Sequence, residues 1–123
     1  MALTVTGFSS TRLSYKIAKE SNASDNLNAD VFGGAGTLYS AQFDNQSNNA
    51  AYIKIYLRSG TVTATGNSGS EPDLLFEVPA NEIVDLSLPS GLAFTQLSFW
   101  VTDAAATSES GDPGTVLLSF LCA

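Results

Sequence analysis

The sequence contains no histidine and only one cysteine, and its five Lys and Arg residues are outnumbered by twelve Asp and Glu residues. Enzymes of hydrolysis and group transfer usually depend near neutral pH on an imidazole, an activated thiol or a cationic group that stabilises the transition state. Because these groups are nearly absent, the composition favours a structural or binding protein over an enzyme. It also indicates no cofactor.

Positive charge is scarce enough to disfavour several kinds of partner. The net charge is −7 and the isoelectric point is near 4.1, which disfavours binding to nucleic acid or to an anionic membrane surface. No apolar run approaches the ~20 residues of a membrane-spanning helix. Residues 1–6 lack the basic region and the long apolar stretch of a signal peptide. We therefore expect a protein that works in, or assembles from, a cytoplasm.

Charged residues of both signs are also few, at 14% of the chain against about 25% in typical soluble domains. Such a surface is either rich in Ser, Thr and Asn or partly buried against another chain, and the composition leaves both open.

At 123 residues, of which 44% are hydrophobic, the chain predicts a single domain over residues 1–123 with one core. Cys122 continues an alternating apolar segment, which predicts a buried thiol.

Short apolar segments with period two, separated by Gly, Pro, Asn and Ser, run through most of the chain. They predict an all-β fold of seven to nine strands, an antiparallel β-sandwich of jelly-roll or immunoglobulin-like type. Residues 1–35 are less regular, and form either an extended N-terminal arm or part of a sheet. The period predicts a core of Phe43, Ile53, Ile55, Leu57, Phe76, Val84, Leu86, Phe99, Val101, Val116, Leu118 and Phe120.

Two strand segments, residues 74–78 and 84–88, are separated only by a short turn that begins Pro79-Ala80-Asn81. Neighbouring strands with so short a connection predict a β-hairpin. A second turn, Pro89-Ser90-Gly91, is expected to end the strand at residues 84–88. In the segment 37–44, the alternation predicts that Tyr39 shares the core face with Ala41 and Phe43.

The outer face of the strand at residues 51–58 carries two aromatic and two cationic side chains, Tyr52, Lys54, Tyr56 and Arg58. Interleaved aromatics and cations can stack and clamp single-stranded nucleic acid. The same residues are enriched in protein interfaces, and on an acidic protein we favour the interface. An ordinary half-exposed strand explains them equally well.

Four apolar side chains, Leu75, Trp100, Leu117 and Leu121, lie opposite the core faces of their strands. A solvated sheet face is polar, so either loops cover these residues or they form an apolar patch buried in a homo-oligomer. We favour the oligomer and expect them at a subunit or partner contact.

Four acidic residues, Glu71, Asp73, Glu82 and Asp85, lie close together in the sequence. Their oxygens could bind Ca²⁺, or paired carboxylates could serve glycoside hydrolysis. The EF-hand pattern and an aromatic sugar-binding groove are both missing, so solvated loops are the preferred interpretation, and no metal or catalytic residue is assigned.

Several turn and strand segments together resemble small virion proteins of tailed bacteriophages. The likeness covers roughly residues 33–122 and is carried by Gly36-Thr37-Leu38-Tyr39-Ser40, Asp44-Asn45, Ala51-Tyr52-Ile53-Lys54-Ile55-Tyr56, Glu71-Pro72-Asp73-Leu74-Leu75-Phe76-Glu77-Val78-Pro79-Ala80 and Gly91-Leu92-Ala93-Phe94. These segments contain no catalytic residues.

The resemblance implies a structural protein of the virion. A decoration (cement) protein on the outer capsid lattice is the first expectation, with the major capsid protein or another virion protein as partner. It further implies a homo-oligomer, most simply a trimer on a threefold lattice position. A head-to-tail, tail or baseplate component is the alternative within this class. A carbohydrate- or nucleic-acid-binding β module is the competing class.

Overall fold

The computed structural model describes residues 3–7, 15–25, 27–59, 71–104 and 111–123. These residues form eight strands in two antiparallel sheets and no helix, which confirms the predicted all-β sandwich. The strands are β1 (Leu3–Gly7), β2 (Lys16–Glu20), β3 (Gly36–Asn45), β4 (Ala51–Tyr56), β5 (Leu74–Val78), β6 (Ile83–Phe94), β7 (Ser98–Thr102) and β8 (Val116–Cys122).

The two sheets differ in width. The large sheet has the order β1-β2-β8-β3-β6, and the small sheet has the order β5-β4-β7. β1 and β2 pair in an unbroken register from Leu3 opposite Glu20 to Gly7 opposite Lys16. The described strands of the N-terminal region therefore belong to the large sheet.

A chain of aromatic rings joins the two sheets across the core. The ring centroids of Phe76 and Phe43 are 5.3 Å apart, those of Phe43 and Phe120 are 6.2 Å apart, and those of Phe120 and Phe99 are 5.2 Å apart. β5 therefore lies over β3, and β7 lies over β8. All twelve residues that the period predicted as core lie in this core or pack against it; Leu57, Phe76, Val84 and Leu86 are the partly buried ones.

The strand β8 shows the predicted alternation along its whole length. Val116, Leu118, Phe120 and Cys122 are buried, whereas the residues between them are half-buried. The strand β3 departs from its predicted pattern at Tyr39. Its pairing shifts between Leu38 and Ser40, so that Leu38 instead of Tyr39 enters the core. A bulge of this kind adds one residue to a strand and turns the preceding side chains to the other face.

The predicted hairpin of residues 74–78 and 84–88 is wrong. β5 pairs with β4 in the small sheet, and β6 pairs with β3 in the large sheet. The connection between them crosses from one sheet to the other, and Asn81 adopts a left-handed backbone conformation there, with φ of 58°. A short turn thus joins strands that are neighbours in sequence but are hydrogen-bonded to different partners.

The side chain of Asn45, at the end of β3, holds this crossing together. Its amide nitrogen donates to the carbonyl oxygens of Val78 at 3.0 Å, Pro79 at 3.2 Å and Asn49 at 2.7 Å. Its amide oxygen accepts from the backbone N–H of Ser47 at 3.0 Å. One fully buried side chain therefore ties the end of β5 to the turn between β3 and β4.

The strand β6 continues through Pro89, where the sequence predicted a stop. Its pairing with β3 jumps from Leu92 to Ser87, opposite Leu38 and Ser40, so residues 88–91 are left out of the regular ladder. Proline lacks an N–H and is tolerated at such a break because β6 is an edge strand.

We expect Asn45→Ala to lower the free energy of unfolding by about 2–3 kcal/mol, because it leaves buried backbone groups without partners. Urea denaturation followed by circular dichroism measures this loss. Gln46→Ala is the matched control: the neighbouring Gln46 side chain is exposed and donates to the carboxylate of Asp44 at 3.1 Å, so its removal should change stability by no more than about 0.5 kcal/mol. Equal effects of the two changes would contradict this role of Asn45.

Candidate protein interface

The predicted interface residues lie on two surfaces that face in opposite directions. Leu75, Trp100 and the four residues at positions 52, 54, 56 and 58 belong to the small sheet or continue its central strand. Leu117 and Leu121 lie on the outer face of the large sheet, between β2 and β3. The eight residues therefore do not form one patch.

Two of them, Lys54 and Trp100, are fully buried within this single chain. This corrects the expectation that they contact another subunit. The register explains their proximity: Lys54 lies opposite Leu75 on one side and Trp100 on the other, so the three form one row across the outer face of the small sheet. Since directly opposite side chains lie about 5 Å apart, the indole and the lysine stem are neighbours. The outer face of this sheet is thus closed at its centre.

The rim of the small sheet remains accessible. Leu75 is 45% exposed on the edge strand β5, and Tyr52 and Tyr56 are half-buried. Arg58 projects from the chain just beyond β4, and its side chain is 60% exposed. These four positions are available for contact with another molecule.

The charge of Arg58 is engaged within the chain. Its Nε atom lies 3.1 Å from Oδ1 of Asp73, and its guanidinium carbon lies 4.6 Å from the centroid of the Tyr56 ring. The Asp73 carboxylate also accepts the backbone N–H of Leu57 at 2.7 Å. An exposed ion pair contributes little stability. It nevertheless neutralises the positive charge that Arg58 would need to bind a phosphate group.

The outer face of the large sheet carries two half-buried leucines and a groove lined by both polar and apolar side chains. Leu121 lies opposite Ile17 of β2, and both are half-buried. Leu117 lies opposite Asp44 of β3 and lines a groove of about 500 Å³, which also contains Thr4, Lys19, Gln42, Asp44 and Ser119. A second groove of about 380 Å³ adjoins it at Gln42 and Ser119.

Sequence reasoning found Leu117 and Leu121 but missed the groove residues. Lys19, Gln42 and Asp44 come from strands that are far apart in the sequence, and only the sheet order brings them together. The available signal was the polar alternation of Gln42 and Asp44 on the outer side of β3. It indicated a solvated face without indicating its neighbours.

The four acidic residues considered for calcium do not converge. Asp73 lies beside the small sheet and is paired with Arg58, whereas Asp85 lies on β6 of the large sheet and accepts from Gln42 at 3.0 Å. Within the described ranges there is no group of three or more His, Cys, Asp or Glu side chains that could hold a metal ion. These same ranges contain no helix that could span a membrane.

The only thiol is placed where it is unreactive. Cys122 is buried at the end of β8, and burial raises its pKa from 9.0 to about 11, an effect that the charge of Lys16 partly opposes. The thiolate is the reactive form of cysteine, so Cys122 stays protonated and inert near neutral pH.

Comparison with known proteins does not extend this description: no protein-family model matches the chain, and no relative is found among curated proteins.

Trp100 is the only tryptophan in the sequence, so its fluorescence reports its surroundings directly. We expect emission at short wavelength and weak quenching by acrylamide, unchanged when the protein is diluted, because the indole is buried within one chain. The unfolded protein in urea provides the exposed reference. Emission that shifts to long wavelength on dilution would instead place Trp100 at a contact between copies.

Burial of Cys122 makes stability depend on pH in the alkaline range. Because the folded-state pKa of the thiol is raised, its contribution to stability is complete below pH 9 and is lost as the pH rises through about 11. We expect the free energy of unfolding of the wild type to fall over this range relative to that of Cys122→Ala, which shares all other titrating groups. A difference that is constant with pH would contradict this.

Proposed function

We propose that the protein is a non-enzymatic structural subunit of a tailed-bacteriophage particle, assembled in the host cytoplasm. Our first choice is a decoration protein that binds the outer capsid lattice through the major capsid protein or another virion protein. The observation that carries the proposal is the half-exposed pair Leu117 and Leu121 on the outer face of β8, where a solvated sheet face would be polar.

This outer-face patch has the composition of a contact surface. Ile17 lies next to Leu121, and the groove beside Leu117 offers Lys19, Gln42 and Asp44 as hydrogen-bonding partners. A protein interface typically combines an apolar centre with a polar rim. Burial of one leucine side chain contributes roughly 2 kcal/mol, so these residues from one or more copies could decide association.

The segments that resemble phage virion proteins make up the framework of the sandwich. They include the start of β3, the corner residue Asn45, the strands β4 and β5, and the end of β6. The likeness therefore concerns the parts that join the two sheets. Its support for the virion class rests on the resemblance of these segments, which carries no catalytic residue across.

The chemistry of the described side chains supports a non-enzymatic role. Cys122 is buried with a raised pKa, Arg58 is paired with Asp73, and the sequence has no histidine. The groups that most often act as nucleophile, cationic clamp or general base are thus engaged or missing.

One observation favours a second candidate, a carbohydrate-binding module. The lining of the larger groove offers amide, carboxylate and hydroxyl groups and a single cation, Lys19, which suits a neutral polyhydroxyl ligand better than a phosphate backbone. Binding of oligosaccharides to an immobilised protein, lost in Gln42→Ala, would favour this candidate over the first.

The composition of purified particles of the virus that encodes the chain tests the first choice. We expect the protein among the particle components, in many copies for a decoration protein and in few copies for a head-to-tail, tail or baseplate component. Labelling by electron microscopy should place it on the capsid surface. Absence from particles would remove the virion proposal.

We expect Leu117→Asp to leave the protein folded and to reduce its binding to particles by at least about tenfold, because the change places a charge in the apolar patch and spares the core face of β8. Ser90→Asp adds the same charge at an exposed site in the irregular part of β6 and should bind like the wild type. Co-sedimentation with particles measures both. Equal binding by the two variants would exclude Leu117 from the interface.

A further inference from the structure

Three of the four sheet edges carry features that block pairing with another strand. The strand β5 is flanked by Pro72 and Pro79, and β6 contains Pro89 within a break of its ladder. The edge of β7 is covered by residues 24–25 and 27–31, where the N–H of Val101 donates to Ser24 and that of Val31 donates to Leu97, at 2.9 and 2.8 Å. Prolines, irregular ladders and covering segments are the usual protection of exposed edges.

The fourth edge, β1, has none of these features in the part of the chain that the structure describes. Its sequence, Leu-Thr-Val-Thr-Gly, has no charged residue and no proline, and its register with β2 is regular over all five pairs. No strand of the described residues lies beyond it. β1 therefore presents one row of backbone donors and acceptors that no described strand pairs.

The inward side of β1 is also partly exposed. Leu3 and Val5 face the same side as the buried residues Ala18 and Glu20, which lie opposite Val5 and Leu3 in the register. Because the small sheet ends with β7 over β8, β1 extends beyond it. Leu3 is 37% exposed and Val5 is 45% exposed, so two apolar side chains accompany the open backbone edge.

We propose that β1 pairs with β1 of a second copy of this chain, in antiparallel orientation about a twofold axis at Val5. This pairing joins the two large sheets into one sheet of ten strands, since each contributes five. It sets Val5 opposite Val5, and Thr4 opposite Thr6, and both are favourable cross-strand pairs. The proposal does not depend on the role in a phage particle.

The charges beside β1 agree with the antiparallel orientation. Lys16 is the neighbour of Gly7, and Glu20 is the neighbour of Leu3. Antiparallel pairing about Val5 sets Gly7 of one copy opposite Leu3 of the other. The two rows of side chains that pass through these residues therefore each run from Lys16 of one copy to Glu20 of the other. Parallel pairing would instead place Lys16 in the same row as Lys16. These groups are about 14 Å apart across three strand spacings, and Glu20 is buried and accepts the N–H of Asn22 at 3.0 Å. The two charges therefore add a small preference for this orientation and little affinity.

The size of the contact sets the strength of the pair. Two five-residue strands bury less than the ~1,200 Å² that is common in stable specific complexes, so we expect a dimer that forms at micromolar or higher concentration. A surface that concentrates the protein would favour it further.

The first test uses charge at the twofold axis. Val5→Lys and Val5→Glu each place two like charges opposite one another, so each should weaken self-association at least about tenfold in sedimentation equilibrium. An equal mixture of the two variants should restore it, because opposite charges then meet. Ser90→Lys on the β6 edge is the matched control and should associate like the wild type. Circular dichroism confirms that each variant is folded.

The second test uses cross-linking and does not rely on the charged variants being folded. Val5→Cys should form a disulfide-linked dimer on mild oxidation, because opposite residues have Cα atoms about 4.5–5.5 Å apart, within the range for disulfides. Leu3→Cys should not, since the two positions are about 13 Å apart along the paired strands. The wild type, whose only thiol is buried, provides the background.

A strictly monomeric wild type at high micromolar concentration would overturn the proposal. Association that is unaffected by Val5→Lys, or cross-linking of Leu3→Cys as readily as Val5→Cys, would also overturn it, because each places the contact elsewhere or in another register. The particle-binding test with Leu117→Asp is separate from these outcomes, so failure of one proposal can be distinguished from failure of the other.

Discussion

The difference in width between the two sheets is the constraint on which the rest of the structure depends. A sheet of five strands packs on a sheet of three, and the aromatic contacts place β5 over β3 and β7 over β8. The strands on the far side of β8 must therefore bury their inner face by other means. Beneath β2 the small side chains of Ala18 and Ala23 are fully buried, as is the carboxylate of Glu20. The backbone N–H of Ala23 donates to Val116 at 2.9 Å. Among the described residues no comparable cover reaches β1, and its apolar residues Leu3 and Val5 stay partly exposed.

A sandwich also needs its sheets held in one relative position, and here a polar corner does this beside the apolar core. Asn45, at the end of β3 in the large sheet, bonds to the backbone of Val78 in the small sheet and of Ser47 and Asn49 in the turn between β3 and β4. Asn49 extends the corner by donating to Pro113 at 3.0 Å, in the segment that leads into β8. Gly114 fits against it because a Cβ atom at that position would lie 2.6 Å from Cβ of Ser47. Apolar packing is not directional, whereas these hydrogen bonds specify which turns meet.

The alternation of apolar and polar residues predicted which side chains of a strand are buried, but it did not predict which strands pair with each other. The buried face of β8 and all twelve core residues follow from side chains that alternate at period two. The same alternation does not record which strand pairs with which, so β5 and β6 were expected as a hairpin although they belong to different sheets. It also cannot tell a solvated outer face from a covered one, and for this reason Lys54 and Trp100 were expected at the surface. Tyr39 was misplaced because a bulge changes the phase of β3 without a local signal such as glycine.

The two proposed surfaces are compatible for a geometric reason. Antiparallel pairing at a sheet edge has its twofold axis perpendicular to the sheet, so both copies present the same face on the same side. Leu117 and Leu121 of each copy would then lie on one continuous outer surface, free of the contact at β1. Two equivalent patches on one rigid sheet can bind a repeating surface together, and the second binding event is then strengthened by the first. A threefold assembly, which the resemblance implies, cannot come from the twofold contact at β1. It would require the outer-face patch or the surface on which the protein assembles, so the oligomeric state in solution and the state on a particle need not be the same.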